Sequence, residues 1–245
     1  MTNLITLAGE GLRFSKKGGY SPKPLIEIRG HPMLYRAVKS LPKADKYVFV
    51  CRQEHATQYK IDDMISHYWP DSEIIYVSKT TDGQACTAEL GINESSIDLN
   101  DEILISCCDY GLEWNEDIYT AIKNTSDVVV WSTIRNKAFA NNPNAYSWLT
   151  VEGTKLKHTS VKQSIFDDPY NHNAIVGTFY FRKAKFFINS LKTIYEQKIT
   201  SNNEYYIDNI FNTITDLNVN IFTVDQYHCW GTPEDLEAYE DNLLG

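Results

Sequence analysis

The chain has 245 residues, of which 42% are hydrophobic, and its 23 Lys and Arg against 32 Asp and Glu give a formal net charge of −9. That length suffices for one sizeable core, and the composition excludes a disordered or fibrous chain. The acid excess excludes a broad basic face for nucleic acid, and apolar stretches of only four to six residues exclude a membrane-spanning helix.

Residues 1–11 lack the basic start and apolar stretch of a signal peptide. The five cysteines are odd in number and show no disulfide-framework spacing. Reduced thiols in a cytoplasmic protein are the expectation. No repeat, low-complexity tract or linker interrupts the sequence, so residues 1–245 read as a single domain.

In chain order, short β-rich runs are predicted at 4–8, 47–51, 73–78, 102–107 and 127–134. Helix-period segments lie between them. Pro32 opens the first, and Met33, Leu34, Ala37, Val38 and Leu41 then share one face. Further helices are predicted at 54–68, 84–93 and 114–123. This alternation implies a three-layer αβα, Rossmann-like fold around a mixed, mainly parallel sheet. Residues 1–135 form its first half. In 136–245, strands are predicted at 146–151, 155–162 and 174–182, then helices at 184–197 and 204–217, a strand at 219–224 and a last helix from Pro233. Glu152-Gly153-Thr154 is too short a connection for anything but antiparallel pairing.

Ligands of such sheets bind beyond the carboxyl ends of the strands. The loop after the first strand holds Leu7-Ala8-Gly9-Glu10-Gly11-Leu12-Arg13, in which two glycines let bare amides approach an anion. Arg13, Lys16, Lys17 and Lys23 then fall within eleven residues that contain no acid. In an acidic chain that concentration points to a polyphosphate, whose building charge fixed cations stabilise; the alternative is a solvated basic loop. A dinucleotide fingerprint fails because its third glycine would fall at Phe14, and a P-loop fails for want of Gly-Lys-Ser/Thr. In Pro22-Lys23-Pro24-Leu25 two prolines fix the backbone on both sides of one ammonium.

Together with Gly30-His31-Pro32-Met33, these segments resemble the opening of the sugar-phosphate nucleotidyltransferase family: L-A-G-x-G-[TS]-R, then P-K-P-L, then G-x-P-[ML]. Leu12 stands where that family has Thr or Ser. The resemblance implies a GT-A-like nucleotidyltransferase domain, with residues 1–135 binding the nucleotide and 136–245 the acceptor. It implies transfer of a nucleoside monophosphate from CTP, UTP, dTTP or GTP to a small phosphorylated acceptor, with Mg²⁺, no nucleic acid and no membrane. By the same resemblance Leu7, Ala8, Gly9, Glu10 and Gly11 bind the nucleotide, Arg13 and Lys23 are the catalytic cations, and Gly83 and Gln84 lie by the base. Asp109, at the end of the apolar strand 103–107, holds the metal. Lys162 grips the acceptor phosphate, with Gly177 and Glu204 beside the acceptor.

Departures bear on the acceptor. Val161 replaces a glutamate that contacts sugar hydroxyls. Cys229 replaces a second metal aspartate two residues before Gly231-Thr232-Pro233-Glu234-Asp235-Leu236; Asp225, Asp208 or a water stands in, or one metal suffices. Sugar 1-phosphates for surface polysaccharides are one acceptor class. Phosphocholine or phosphoglutamine, used by the cytidylyltransferase branch in capsule modification, is the other. Nucleotide-sugar glycosyltransferases share a related sheet but use Asp-x-Asp, and Gly111 stands two residues after Asp109. A nucleotide-binding protein without turnover is a further alternative. The 16 tyrosines and five tryptophans leave room for a homo-oligomer.

Overall fold

The computed structural model describes residues 1–9, 14 and 22–241. Its strands are β1 (Thr2–Leu7), β2 (Glu27–Ile28), β3 (His31–Pro32), β4 (Lys46–Arg52), β5 (Glu73–Val77), β6 (Ile103–Ser106), β7 (Tyr110–Glu113), β8 (Val128–Thr133), β9 (Trp148–Glu152), β10 (Lys155–Ser160), β11 (Asn173–Phe181), β12 (Val219–Thr223) and β13 (Gln226–Cys229). Its helices are α1 (Met33–Lys39), α2 (Gln53–Tyr59), α3 (Ile61–Tyr68), α4 (Gln84–Glu94), α5 (Glu116–Asn124), α6 (Lys137–Asn141), α7 (Ala184–Glu196) and α8 (Pro233–Asp241).

Nine strands form one sheet in the order β5-β4-β1-β6-β11-β8-β12-β10-β9. The β5-β4-β1-β6 half is parallel, β11 runs antiparallel to both β6 and β8, and β8 and β12 are parallel. The mixed α/β sheet inferred from the alternation of elements is therefore observed. All six residues of β1 are buried, because both faces of the sheet are covered. Leu4, Val48 and Val50 pack under Ala85, Ala88 and Ile92 of α4, and the same cluster continues to Phe187, Leu191 and Ile194 of α7. On the other face Ile5, Leu7 and Phe49 join Leu34 and Val38 of α1, Ile61 and Ile65 of α3 and Tyr119 of α5. Each such fully buried aliphatic or aromatic side chain contributes roughly 1.5–3 kcal/mol.

The predicted helix at 54–68 is two helices, α2 and α3, separated by Lys60 in the left-handed conformation (φ 52°). The predicted helix at 204–217 is absent. Only a 3₁₀ segment, Ile207–Asn212, forms there. Ile207, Ile210 and Phe211 are buried at helical spacing, but the polar side chains between them are drawn elsewhere. Asn212 accepts from the Thr159 amide at 2.9 Å and donates to the Thr159 carbonyl at 2.7 Å, filling the edge of β10. Asparagine and aspartate that bond outside their own turn compete with a helix. Helix α6 and the strands β2, β3, β7 and β13 went unpredicted. Helix α6 is capped by Asn136, whose side chain accepts from the Ala138 and Phe139 amides. Strands β7 and β13 pair antiparallel as a separate ribbon.

Candidate active site

The parallel strands change direction of progression between β1 and β6: β4 and β5 lie on one side of β1, β6 on the other. A crevice opens at the carboxyl ends of such a pair. Here it is a cavity of about 600 Å³. Its floor is Thr6 and Leu7 of β1, Ala8 and Gly9 just after it, and Cys107, Cys108 and Asp109 just after β6. One wall is Thr80, Thr81 and the start of α4, and Glu204 and Gly231 complete the rim.

Lys23 enters this cavity from a 3₁₀ turn, Lys23–Leu25, that begins at Pro22 and contains Pro24. The Leu25 amide donates to the Pro22 carbonyl at 2.8 Å. Lys23 Nζ donates to Asp109 Oδ2 at 2.7 Å and to the Gly231 carbonyl at 2.9 Å, and lies 5.5 Å from the centre of the Phe14 ring. A small core of Phe14, Ile26, Ile28, Met33, Trp230 and Leu236 holds these pieces in register. The Trp230 amide donates to the Asp109 carbonyl at 2.9 Å.

Burial alone would lower the Lys23 pKa, but Asp109 and the neighbouring Cys108 and Cys107 raise it on balance. Burial would raise the Asp109 carboxyl; the Lys23 ammonium and the Cys107 thiol, which donates to Oδ1 at 3.0 Å, hold it below the usual carboxylate range. Both groups are therefore charged at neutral pH. Burial pushes the Cys108 and Cys229 thiols up to about 12, and Cys107 well above the ordinary value. All five cysteines are free thiols.

Among the described residues, no group of three or more His, Cys, Asp or Glu could hold a metal ion. The donor chemistry still fits Mg²⁺ in one way. A hard cation shared with phosphate oxygens needs only one or two carboxylates, and Asp109 lines the cavity as one. Protonated thiols are poor ligands for it. A carboxylate not foreseen lies near: a Cβ built on Gly231 would sit 3.7 Å from Asp109 Oδ2 and 3.8 Å from Asp235 Oδ2. Asp235 is also the third helical residue of α8 and accepts from Thr232 Oγ1 at 2.7 Å, so a capping role accounts for it as well. Asp225 does not join the group. It is exposed and precedes Gln226, which pairs with Glu113, whereas Cys229 pairs with Tyr110 beside Asp109. The whole of β13 therefore separates Asp225 from Asp109.

Leu7, Ala8, Gly9, Lys23, Gly83, Gln84, Asp109 and Glu204 thus face one cavity. Glu10, Gly11, Arg13, Lys16 and Lys17 lie outside the described residues. Gly83 adopts φ +130° and lies directly under the Tyr205 backbone. The Tyr205 amide donates to the Asp82 carbonyl at 2.7 Å, and the Ala85 amide donates to the Tyr205 carbonyl at 3.1 Å. This clamp brings Glu204 to the rim although 120 residues separate it from Gln84.

Lys162 and Gly177 stand apart from the cavity lining. Gly177 (φ +93°) sits in β11 within an irregularity between Ile175 and Phe179, and its Cα faces the Tyr110 ring. Tyr110 Oη pairs with Thr178 Oγ1 at 2.7 Å, which joins β11 to the residue after Asp109. Lys162 has a left-handed backbone (φ 54°), donates from Nζ to the Ala145 carbonyl at 2.9 Å, and lies 5.0 Å from the centre of the Tyr206 ring. Its amide donates to Ser147 Oγ at 3.3 Å, and Ser147 Oγ donates to the buried Asp208. Asp208 therefore supports Lys162 and is not placed at Asp109.

Burial raises the Asp208 pKa, with Lys162 and Ser147 pulling the other way without cancelling it. The folded chain thus holds this proton more tightly than the unfolded chain. Its stabilising effect is complete below the ordinary aspartate pKa of about 4 and is lost as pH rises through the raised value. Asp208→Asn removes that loss. The stability difference between variant and parent should move in the variant's favour from about pH 4 to pH 7, as read by urea unfolding at each pH. A pH-independent difference would contradict it.

No helix among the described residues is long and apolar enough to cross a membrane. No family model matches the sequence, and no curated protein matches it. Solved structures do. A nucleoside-diphosphate-sugar pyrophosphorylase from Vibrio cholerae RC9 superposes with TM-score 0.77 at 18% identity, covering 98% of this chain and 99% of its own. The inositol-1-phosphate CTP transferase of T. maritima gives 0.73 at 15%, covering 98% and 93%. A UTP-bound UGPase from Acinetobacter baumannii gives 0.72 at 12%, covering 99% and 92%. The described residues of the chain therefore have the nucleotidyltransferase fold.

Proposed function

We propose that the chain is a nucleotidyltransferase that moves a nucleoside monophosphate from a nucleoside triphosphate onto a small phosphorylated acceptor and releases pyrophosphate. The observation that supports this best is the meeting of Lys23, Asp109 and the Gly231 carbonyl at one cavity, from three distant parts of the sequence. The similar structures are named for such transfers: to inositol 1-phosphate with CTP in one, with bound UTP in another.

In this reading a phosphate oxygen of the acceptor attacks the α-phosphorus, the bond to the bridging oxygen breaks, and pyrophosphate leaves with that electron pair. No side-chain nucleophile is needed; positioning and charge neutralisation suffice. Lys23 bridges the α-phosphate and the acceptor phosphate. Gly9 offers its amide to the polyphosphate, with Gly11 and Arg13 assigned the same task. Gly83 and Gln84 border the base. Asp109 would hold Mg²⁺ jointly with the triphosphate, neutralising charge on the leaving pyrophosphate. Lys162, Gly177 and Glu204 take the acceptor.

Two acceptor classes are carried by this reading. Sugar 1-phosphates are the first. Val161, which removes a hydroxyl-binding carboxylate, favours the second, a non-sugar phosphate such as phosphocholine or phosphoglutamine with CTP. Pyrophosphate release measured with each triphosphate and Mg²⁺, across phosphorylated sugars, phosphocholine and phosphoglutamine, tests it. Release is expected only when triphosphate and acceptor are both present. Triphosphate binding without release under any pairing would make the chain a binding protein instead.

A further inference from the structure

Hydrogen-bond polarity at the base end of the cavity restricts what can bind there. Thr6, in β1, is 8% exposed and lines the cavity floor. Its Oγ1 lies 3.1 Å from the Ser106 carbonyl oxygen. A carbonyl can only accept, so the single hydroxyl hydrogen of Thr6 is committed to Ser106. Toward Gln84, 3.3 Å away, Thr6 can therefore only accept. That fixes the orientation of the Gln84 amide, which sterics alone leave ambiguous: Nε2 faces Thr6, and the carbonyl Oε1 faces away from it. Among the described residues Oε1 has no donor.

The adjacent hydroxyls follow the same logic. Thr81 Oγ1 and Thr87 Oγ1 are 2.5 Å apart, and both lie within reach of the Gly83 carbonyl, at 2.9 and 3.3 Å. One hydrogen must lie between the two oxygens and the other must go to Gly83. Whichever oxygen takes which part, both hydrogens are used internally. Thr81 and Thr87 line the cavity and have only lone pairs left for a ligand. The mutually bonded side chains at this end thus offer acceptors from three residues and one donor, the second N–H of Gln84 Nε2, while the exposed Thr80 hydroxyl on the same wall can serve either way.

We propose that this arrangement selects a nucleobase with an exocyclic amino group over its keto counterpart, with Gln84, Thr81 and Thr87 as the specificity-determining residues and Thr6 as the positioning residue that fixes Gln84. An amino group supplies two N–H donors, one for Gln84 Oε1 and one for a threonine lone pair. The ring nitrogen beside it accepts from Gln84 Nε2. Uracil or thymine presents one N–H flanked by two carbonyls, one of which would face lone pairs. A site built for a donor rejects an analogue lacking it because its own buried acceptors are left unpaired.

The proposal rests on the nucleotidyltransferase reading, and the test separates the two. Dissociation constants of the full chain are measured calorimetrically with Mg²⁺ for CTP against UTP, and for ATP and GTP against ITP. In the ring size that binds, the amino member should bind about tenfold tighter or more. Thr6→Val, which keeps the shape, should shrink that ratio at least threefold. So should Gln84→Met, which leaves the residues of the central strand unchanged and covers the case in which the first variant fails to fold. Thr6→Ser should restore the parent ratio. Failure of every triphosphate to bind the parent protein would overturn the nucleotidyltransferase reading itself. Triphosphate binding with equal or tighter affinity for the keto member, or an unchanged ratio in folded Thr6→Val or Gln84→Met, would overturn this inference alone.

Discussion

Lys23→Ala is expected to lower turnover about 10²–10⁴-fold, with kcat and kcat/KM falling together. A fixed cation aimed at charge that develops in the transition state accounts for losses of this order. The two contacts of Lys23, at 2.7 Å to Asp109 and 2.9 Å to the Gly231 carbonyl, place its ammonium at the mouth of the cavity. Its stem is fixed by the turn between Pro22 and Pro24. The cost to folding should be much smaller, about 1–2 kcal/mol, because the Asp109 side chain is 30% exposed and water can partly replace the lost partner. Single-turnover rates beside thermal unfolding of the same preparation check the claim. Near-normal turnover in a folded variant would remove Lys23 from the chemistry.

Gly83→Ala should destabilise the protein by about 3 kcal/mol, which for a chain of this length lowers Tm by roughly 6–12 °C. The new Cβ would meet the Tyr205 carbonyl oxygen at 2.5 Å and its amide nitrogen at 2.8 Å, at a φ of +130° that L-residues rarely adopt. The obstacle is backbone, and it is tied by hydrogen bonds to Asp82 and Ala85 on both sides of the glycine. Neither partner can yield without breaking the clamp. Gly153→Ala is the control: φ is +61°, yet nothing lies within 4 Å of the added carbon, so only about 1 kcal/mol of backbone strain is expected. Differential scanning calorimetry on the two variants compares them directly, and equal Tm losses would contradict the clash.

How much of this was legible beforehand depended on where the information sits. The parallel half was readable because buried strands and amphipathic helices alternate within it: 4–8 and 47–51 fall on β1 and β4, and the face of Met33, Leu34, Ala37 and Val38 is buried. The antiparallel return of β9 and β10 followed from one three-residue connection. Residues 204–217 were misread because apolar spacing cannot reveal that Asn212 is engaged by β10 and Asp208 by Ser147. The pairing of β7 with β13 spans more than a hundred residues, and nothing local announces it. In the site, the glycine and proline signals around Gly9 and Lys23 pointed to the cavity. Thr6 gave no signal, since a threonine in a buried strand is ordinary and its value lies in the direction of one hydrogen bond. Asp225, one of the alternatives for the second metal ligand that Cys229 displaces, is near that position in sequence, and strand geometry turns that proximity into distance.

The position of β12 has a consequence for biosynthesis. It is the last strand of the large sheet to leave the ribosome, yet it lies between β8 and β10 rather than at a margin. Until residues 219–223 have emerged, β8 has an open edge, and β9 and β10 reach the rest of the sheet only through the short pairing of β9 with the start of β11. Gly231, on which Lys23 rests, arrives later still. A nascent chain therefore holds an apolar strand, Val128–Thr133, with at least one open edge for the whole time needed to translate the following eighty-odd residues. At translation speeds of about 5–20 residues per second this is a window of several seconds, long enough for a holdase to matter to yield.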